Sequence, residues 1–144
     1  MKSKQRMESI KHMRSEELSE TTDMGGRKAA IDLSQFVGSW MTANSKTRGI
    51  VRINVTTDDD ELKVHAFGAC SPSPCDWGQT SGTVFSDGIN STKGLAFSAV
   101  YDFGFMETHL QAKVKKGVLV VASFNKFKDD SGRSNYFSRE FFYQ

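Results

Sequence analysis

From Phe36 to the C-terminus, apolar and polar side chains alternate with a period of two. Clusters of Gly, Asp, Asn and Ser interrupt that alternation at intervals of roughly 8–15 residues. A period of two sends successive side chains to opposite faces of a pleated strand, so this region predicts strands and not helices. Eight candidate strands can be drawn, at 36–43, 48–57, 61–69, 76–86, 93–103, 105–115, 117–127 and 134–143. The breaks between them have turn chemistry. Thr57-Asp58-Asp59-Asp60 is a polar hairpin loop, Asp87-Gly88 supplies a positive-φ position, and Lys116-Gly117 and Ser131-Gly132 close two further turns. No helical stretch separates the strands, which points to a sandwich or an up-and-down barrel. Eleven Phe among 144 residues fit the same reading, because aromatic side chains suit a half-buried pleated surface.

The expected fold is therefore all-β, an eight-stranded antiparallel up-and-down barrel over residues 35–144. Residues 1–34 form a polar tail before it. Met7, Ile10, Met13 and Leu18 lie near helical spacing among charges, and Gly25-Gly26 then breaks the chain. That tail is expected to be disordered, or partly helical and able to act as a lid over a barrel mouth.

The strand faces can be separated. Leu95, Phe97, Ala99, Tyr101 and Phe103 share one face, and Met106, Thr108, Leu110, Ala112 and Val114 form a core-like face. Strands 117–127 and 134–143 are apolar on both faces, so the outer one is expected to meet the tail or a second copy of the chain. Eight strands leave an interior wide enough for side chains or one small ligand.

Composition excludes several function classes. The formal charge is +2, and much of the positive charge lies in the tail. A nucleic-acid reader should show a basic stripe on its folded part, and none is visible. No apolar run reaches the ~20 residues of a membrane helix, and the N-terminus lacks the apolar stretch of a signal peptide. The expected location is the cytoplasm, where Cys70 and Cys75 would be reduced. Their segment, Cys70-Ser-Pro-Ser-Pro-Cys75-Asp-Trp-Gly, reads first as a stiff structural loop. A disulfide is the second reading, since the spacing lets the Cα atoms come within reach. No metal site is expected, because the spacing is not a zinc pattern. No phosphate loop, nucleophile elbow or dinucleotide fingerprint is present, so no cofactor is expected.

Polar candidates remain. Glu107, His109 and Gln111 share a face that is either the outside of the barrel or part of its lumen; if inward, the acid–imidazole pair would bind or polarise a ligand. Arg52 shares a face with Arg48 and Ile50, opposite Val51, Ile53 and Val55; that face is either a solvent face with one stray apolar residue or an inward one, where the guanidinium would hold a carboxylate or enolate oxygen. The apolar walls of a pocket would be Trp77, Phe97, Tyr101, Phe105 and Phe124.

Two resemblances follow from these residues. Gly38-Ser39-Trp40 opens the domain and Arg139 lies in its last strand. The chain thus resembles the lipocalin-like, or calycin, barrels, in which a Gly-x-Trp starts the first strand and a late Arg packs on that Trp. The resemblance implies structural roles for Gly38, Trp40 and Arg139. Separately, Thr47-Arg48-Gly49-Ile50, Val64-His65-Ala66-Phe67-Gly68 and Cys70 to Gly78 look like a widespread family of small, mostly bacterial proteins, over most of 36–144. That likeness implies no activity.

The sequence leads to one principal expectation, binding of a small hydrophobic molecule inside the barrel. One alternative is a cofactor-independent cyclase or isomerase of a natural-product pathway, with Tyr101, His109 or Gln111 as hydrogen-bond donor; small calycin-like barrels of bacterial polyketide pathways share its size and tail. The other is an interaction or structural module with a filled barrel and a homodimer face.

Overall fold

A computed structural model describes residues 30–144; the proposed tail helix lies outside the described residues. The eight strands are β1 (Gly38–Thr42), β2 (Ile50–Asp58), β3 (Glu61–Gly68), β4 (Cys75–Ser86), β5 (Gly94–Asp102), β6 (Met106–Lys115), β7 (Val118–Phe127) and β8 (Tyr136–Tyr143). Each pairs antiparallel with the next, and β8 returns to β1, so the sheet is a closed barrel as the alternation predicts. The closing seam is short. Met41 pairs with Tyr143 and Thr42 with Phe142, and the Ala43 N–H donates to the Phe141 carbonyl at 2.8 Å.

Up-and-down order sends the β1–β2, β3–β4, β5–β6 and β7–β8 connections to one pole. The other three connections and both ends of the barrel chain lie at the opposite pole. That second pole is plugged. The Asp32 N–H donates to the Thr92 carbonyl at 2.7 Å, and a 3-10 turn at Ser34–Phe36 tucks the Phe36 ring under the sheet. Phe36 is completely buried and meets Phe97 edge-on at 5.4 Å. Gly94 lacks a Cβ where the Phe36 ring would stand 2.9 Å away, so glycine makes room for the plug.

Above the plug, Ile53, Val55, Leu62, Val64, Leu110, Leu119, Val121 and Phe142 fill the middle of the barrel. Two expected faces point inward here, Phe97/Ala99/Tyr101 on β5 and Thr108/Leu110/Ala112 on β6. On β7 and β8 the inward residues are Leu119, Val121, Ser123 and Asn125, opposite Phe142, Glu140, Ser138 and Tyr136.

Two expectations are corrected. Ile50 does not share a face with Arg52, because a β-bulge between Ile50 and Arg52 shifts the register by one residue. Ile50 is buried with Ile53, whereas Arg52 lies outside with its guanidinium 4.2 Å above the Phe67 ring. Arg139 does not pack on Trp40: it points outward, 5.6 Å from the Phe141 ring, and the buried Trp40 indole instead donates to the Phe36 carbonyl at 2.9 Å.

The outer wall is divided. Across β2–β4 it is polar, with Arg52, Asn54, Lys63, His65, Gln79 and Ser81. Across β7, β8 and β1 it is apolar, with Val120, Phe124, Phe137, Phe141, Tyr143 and Met41 outward.

Candidate functional site at the open pole

At the unplugged pole the interior is not filled. A cavity of about 380 Å³ opens between the 44–49 loop and the ends of β4, β6, β7 and β8. Its apolar lining is Ile50, Trp77, Met106 and Tyr136, and its polar lining includes Ser123, Asn125, Ser138 and Glu140. These residues converge because antiparallel pairing sets Ser123 against Ser138 and Asn125 against Tyr136 on inward-facing positions.

Each polar group has a different degree of freedom. The Thr108 hydroxyl donates to the Asn125 Oδ1 at 2.8 Å with both residues buried, which fixes the amide. Glu140 is half-buried, and its Oε2 lies 3.0 Å from where a Cβ on Gly49 would stand. Glycine at 49 thus lets the loop backbone come down beside the carboxylate. Lys46 and Arg48 line the same cavity and are exposed.

The wall around Trp77 rests on an irregularity. The β3–β4 ladder slips between His65 and Phe67, leaving backbone groups without strand partners. The Tyr101 hydroxyl fills the gap. It accepts from the Ala66 N–H at 3.0 Å, and its own proton faces the Gly78 carbonyl at 2.8 Å and the Val64 carbonyl at 3.1 Å. Burial raises the Tyr101 pKa above its ordinary value, the Ala66 N–H opposes this, and the Asp76 charge adds to the rise. The Trp77 ring meets Tyr101 edge-on at 5.4 Å and covers Gly68, where a Cβ would stand 2.6 Å from the indole nitrogen.

The loop beside Trp77 carries the two cysteines. They form a disulfide with Cα atoms 5.4 Å apart, which corrects the expectation of a reduced loop. The cause is local: Gly68 pairs with Cys75 across the ladder, so the turn must fold back and bring Cys70 within bridging distance. The non-reduced protein is expected to show no thiol titration at these positions. Reduction should lower stability by about 2 kcal/mol, as the loop-closure entropy of so short a loop implies. Urea unfolding with and without a phosphine reductant measures this.

The structure gathers few of the sequence-derived pocket residues into one place. Trp77 lines the cavity. Phe97 and Tyr101 point inward, but they sit in the packed core at 1% and 5% exposure. Arg52, His109, Gln111 and Phe124 face outward, and Phe105 lies exposed in the β5–β6 turn. The lumen reading of Glu107, His109 and Gln111 therefore gives way to the outer-wall reading. His109 and Glu107 do pair, at 2.5 Å, and that hydrogen bond holds the Glu107 carboxyl below its usual range. A similar outer pair joins His65 to Asp76 at 2.5 Å; it and then the Gly78 N–H lower the Asp76 pKa.

Sequence reasoning passed over Ser123, Asn125, Ser138, Glu140, Met106 and Tyr136. For Tyr136, Ser138 and Glu140 the signal was their place on the face of β8 opposite its strongly aromatic one, and for Met106 its place on the core-like face of β6. Beyond the plug a second cleft of about 530 Å³ has Trp40, Leu95 and Val114 as its apolar floor and Lys93, Lys113, Lys115 and Lys116 around it. It is the larger space, but its rim is exposed lysine side chains, whereas the mouth collects fixed groups from several strands. Among the described residues, no group of three or more His, Cys, Asp or Glu is placed to hold a metal ion. No helix among them is long and apolar enough to cross a membrane.

Comparisons with protein-family models, curated proteins and solved structures each found no match to this chain. The class that fold and site define is a closed eight-stranded antiparallel β-barrel, plugged at one pole and hollow at the other.

Proposed function

We propose that this barrel binds a small molecule with an apolar, ring-bearing body and a hydrogen-bond-donating or cationic end, held in the open pole. The carrying observation is the 380 Å³ cavity, whose walls join Trp77, Tyr136 and Met106 to the inward Glu140 carboxylate. That volume falls in the lower part of the ~300–1,000 Å³ range of small-molecule sites, and the mixture of apolar wall with a few convergent polar groups is what such sites share. The reading agrees with the lipocalin-like resemblance and narrows the sequence expectation. The deep barrel is filled with side chains, so a long hydrophobic ligand has no room, and a compact amphipathic one fits.

Localisation belongs to the same proposal. A disulfide at the mouth is the state that an oxidising compartment maintains, and the cytoplasmic expectation holds only where the bond escapes reduction.

The chain has two Trp, and one of them, Trp77, lines the cavity, so intrinsic fluorescence reports on occupancy. Benzyl alcohol, benzylamine and phenylacetate, which do not emit in the tryptophan band, form a matched series of neutral, cationic and anionic probes. Benzylamine is expected to change the Trp77 emission at the lowest concentration and phenylacetate at the highest, because Glu140 is half-buried whereas Lys46 and Arg48 are exposed. Ser138→Phe fills the cavity and should weaken benzylamine binding by at least about tenfold, or 1.4 kcal/mol. Native mass spectrometry of protein purified from its own host should show a retained small adduct. No change in emission with any probe and no adduct would sink the proposal.

A further inference from the structure

The apolar outer wall of β7, β8 and β1 is unlike the rest of the surface. Met41, Phe124, Phe137, Phe141 and Tyr143 are 49%, 43%, 56%, 42% and 50% exposed, and they are neighbours across the ladder. Phe124 and Phe137 pair directly with ring centroids 5.1 Å apart. We infer that this wall is the interface of a two-fold symmetric homodimer, with β8 at its centre.

Area supports a second copy as the occupant. A large aromatic presents ~150–250 Å², so these five half-exposed side chains leave roughly 500 Å² of apolar surface. Val118, Val120, Ala122 and the Arg139 stem extend it towards the ~800 Å² per partner of a standard interface. A monomer rarely carries so large a contiguous patch without a use for it. An isologous contact needs only that the patch be complementary to itself, and a wall of rings and aliphatics meets that condition.

Charge agrees. At the outward positions of β7, β8 and β1 the charged side chains are Arg139, at the centre, and Lys126, at one end. The bordering carboxylate is Glu107 on β6, opposite Lys126, and it is already paired with His109 and Lys128. Arg139 already leans over the Phe141 ring at 5.6 Å, and in the dimer each guanidinium lies over rings of the other copy.

The barrel seam gives an independent reason. β1 and β8 share two register pairs, Met41 with Tyr143 and Thr42 with Phe142, and the first pair faces outward into the patch. A second copy laid over the seam clamps the shortest junction of the sheet.

Sedimentation velocity of the full chain from about 1 to 100 μM tests this. The expected result is a monomer–dimer equilibrium with a micromolar dissociation constant. Phe137→Asp and Phe141→Asp should each raise that constant at least tenfold while near-ultraviolet circular dichroism stays native. Phe85→Asp is the control, since Phe85 is equally exposed at 50% but lies on β4, away from the patch, and it should leave the equilibrium unchanged. A monomer at every concentration overturns the inference, and so does a dimer that both face variants leave intact. A monomer that co-sediments with phosphatidylcholine–phosphatidylserine vesicles also overturns it and assigns the wall to a lipid surface.

Discussion

Replacing Phe36 by alanine is expected to lower stability by about 4 kcal/mol, the range for removing a fully buried phenylalanine. In a domain of this size that corresponds to a fall of roughly 15–20 °C in melting temperature. The effect is large because Phe36 has two tasks. Its ring closes the bottom of the barrel against Phe97 and Gly94, and its carbonyl accepts the Trp40 indole N–H. The substitution leaves the carbonyl in place but removes the ring that holds the turn beneath the sheet. Differential scanning calorimetry gives the answer. Phe36→Leu should recover more than half of the loss, because it refills most of the volume. A fall of less than about 5 °C for the alanine variant would mean that the pole is closed by something other than this ring.

The second large effect is expected from Tyr101→Phe, which removes a single oxygen. The hydroxyl is the partner of the Ala66 N–H and of the carbonyls of Gly78 and Val64, where the β3–β4 ladder slips. Without it a buried N–H is left unpaired, a cost of about 1–3 kcal/mol, even though the ring still fills its place. Urea unfolding should show that loss. Amide exchange should show it locally, with Ala66 accelerated far more than amides in the undisturbed β6–β7 ladder. Uniform acceleration across the barrel would contradict a local role for the hydroxyl. Because Trp77 leans on this ring, the variant should also weaken probe binding in the mouth.

Strands and turns were legible in the sequence because Phe97, Ala99 and Tyr101 on β5, or Leu110 and Ala112 on β6, alternate with polar residues. There, apolar meant inside. The rule failed on β8. Its stronger apolar set, Phe137, Phe141 and Tyr143, faces outward, while Ser138 and Glu140 face the hollow. Hydrophobicity alone assigns faces only where one face is wet. In β8 the interior is partly empty and polar and the exterior is apolar, so the usual contrast is inverted. Ile50 was misassigned for a different reason, since a bulge adds one residue and nothing in Ile50-Val51-Arg52 announces it, whereas Arg52 keeps the face opposite Ile53 that plain alternation gives it. The disulfide was visible as a spacing, but the choice between thiol and bridge depended on how tightly β3 and β4 bring Gly68 against Cys75. The Gly-x-Trp expectation placed Trp40 in the core, where it lies, but its polar partner is the chain's own Phe36 carbonyl and not Arg139.

The meeting of β1 with β8 joins the first and last strands of the barrel, and it has a consequence for how the protein is made. A ribosome releases the two halves of that junction a whole domain apart in time, and contacts so distant in sequence are slow to form. The late strand also carries Ser138 and Glu140, so part of the polar side of the hollow arrives only with the last strand of the barrel. A nascent chain that already holds Trp77, Met106 and Asn125 therefore has an incomplete hollow. The hollow is complete only when β8 has emerged and the ring has shut.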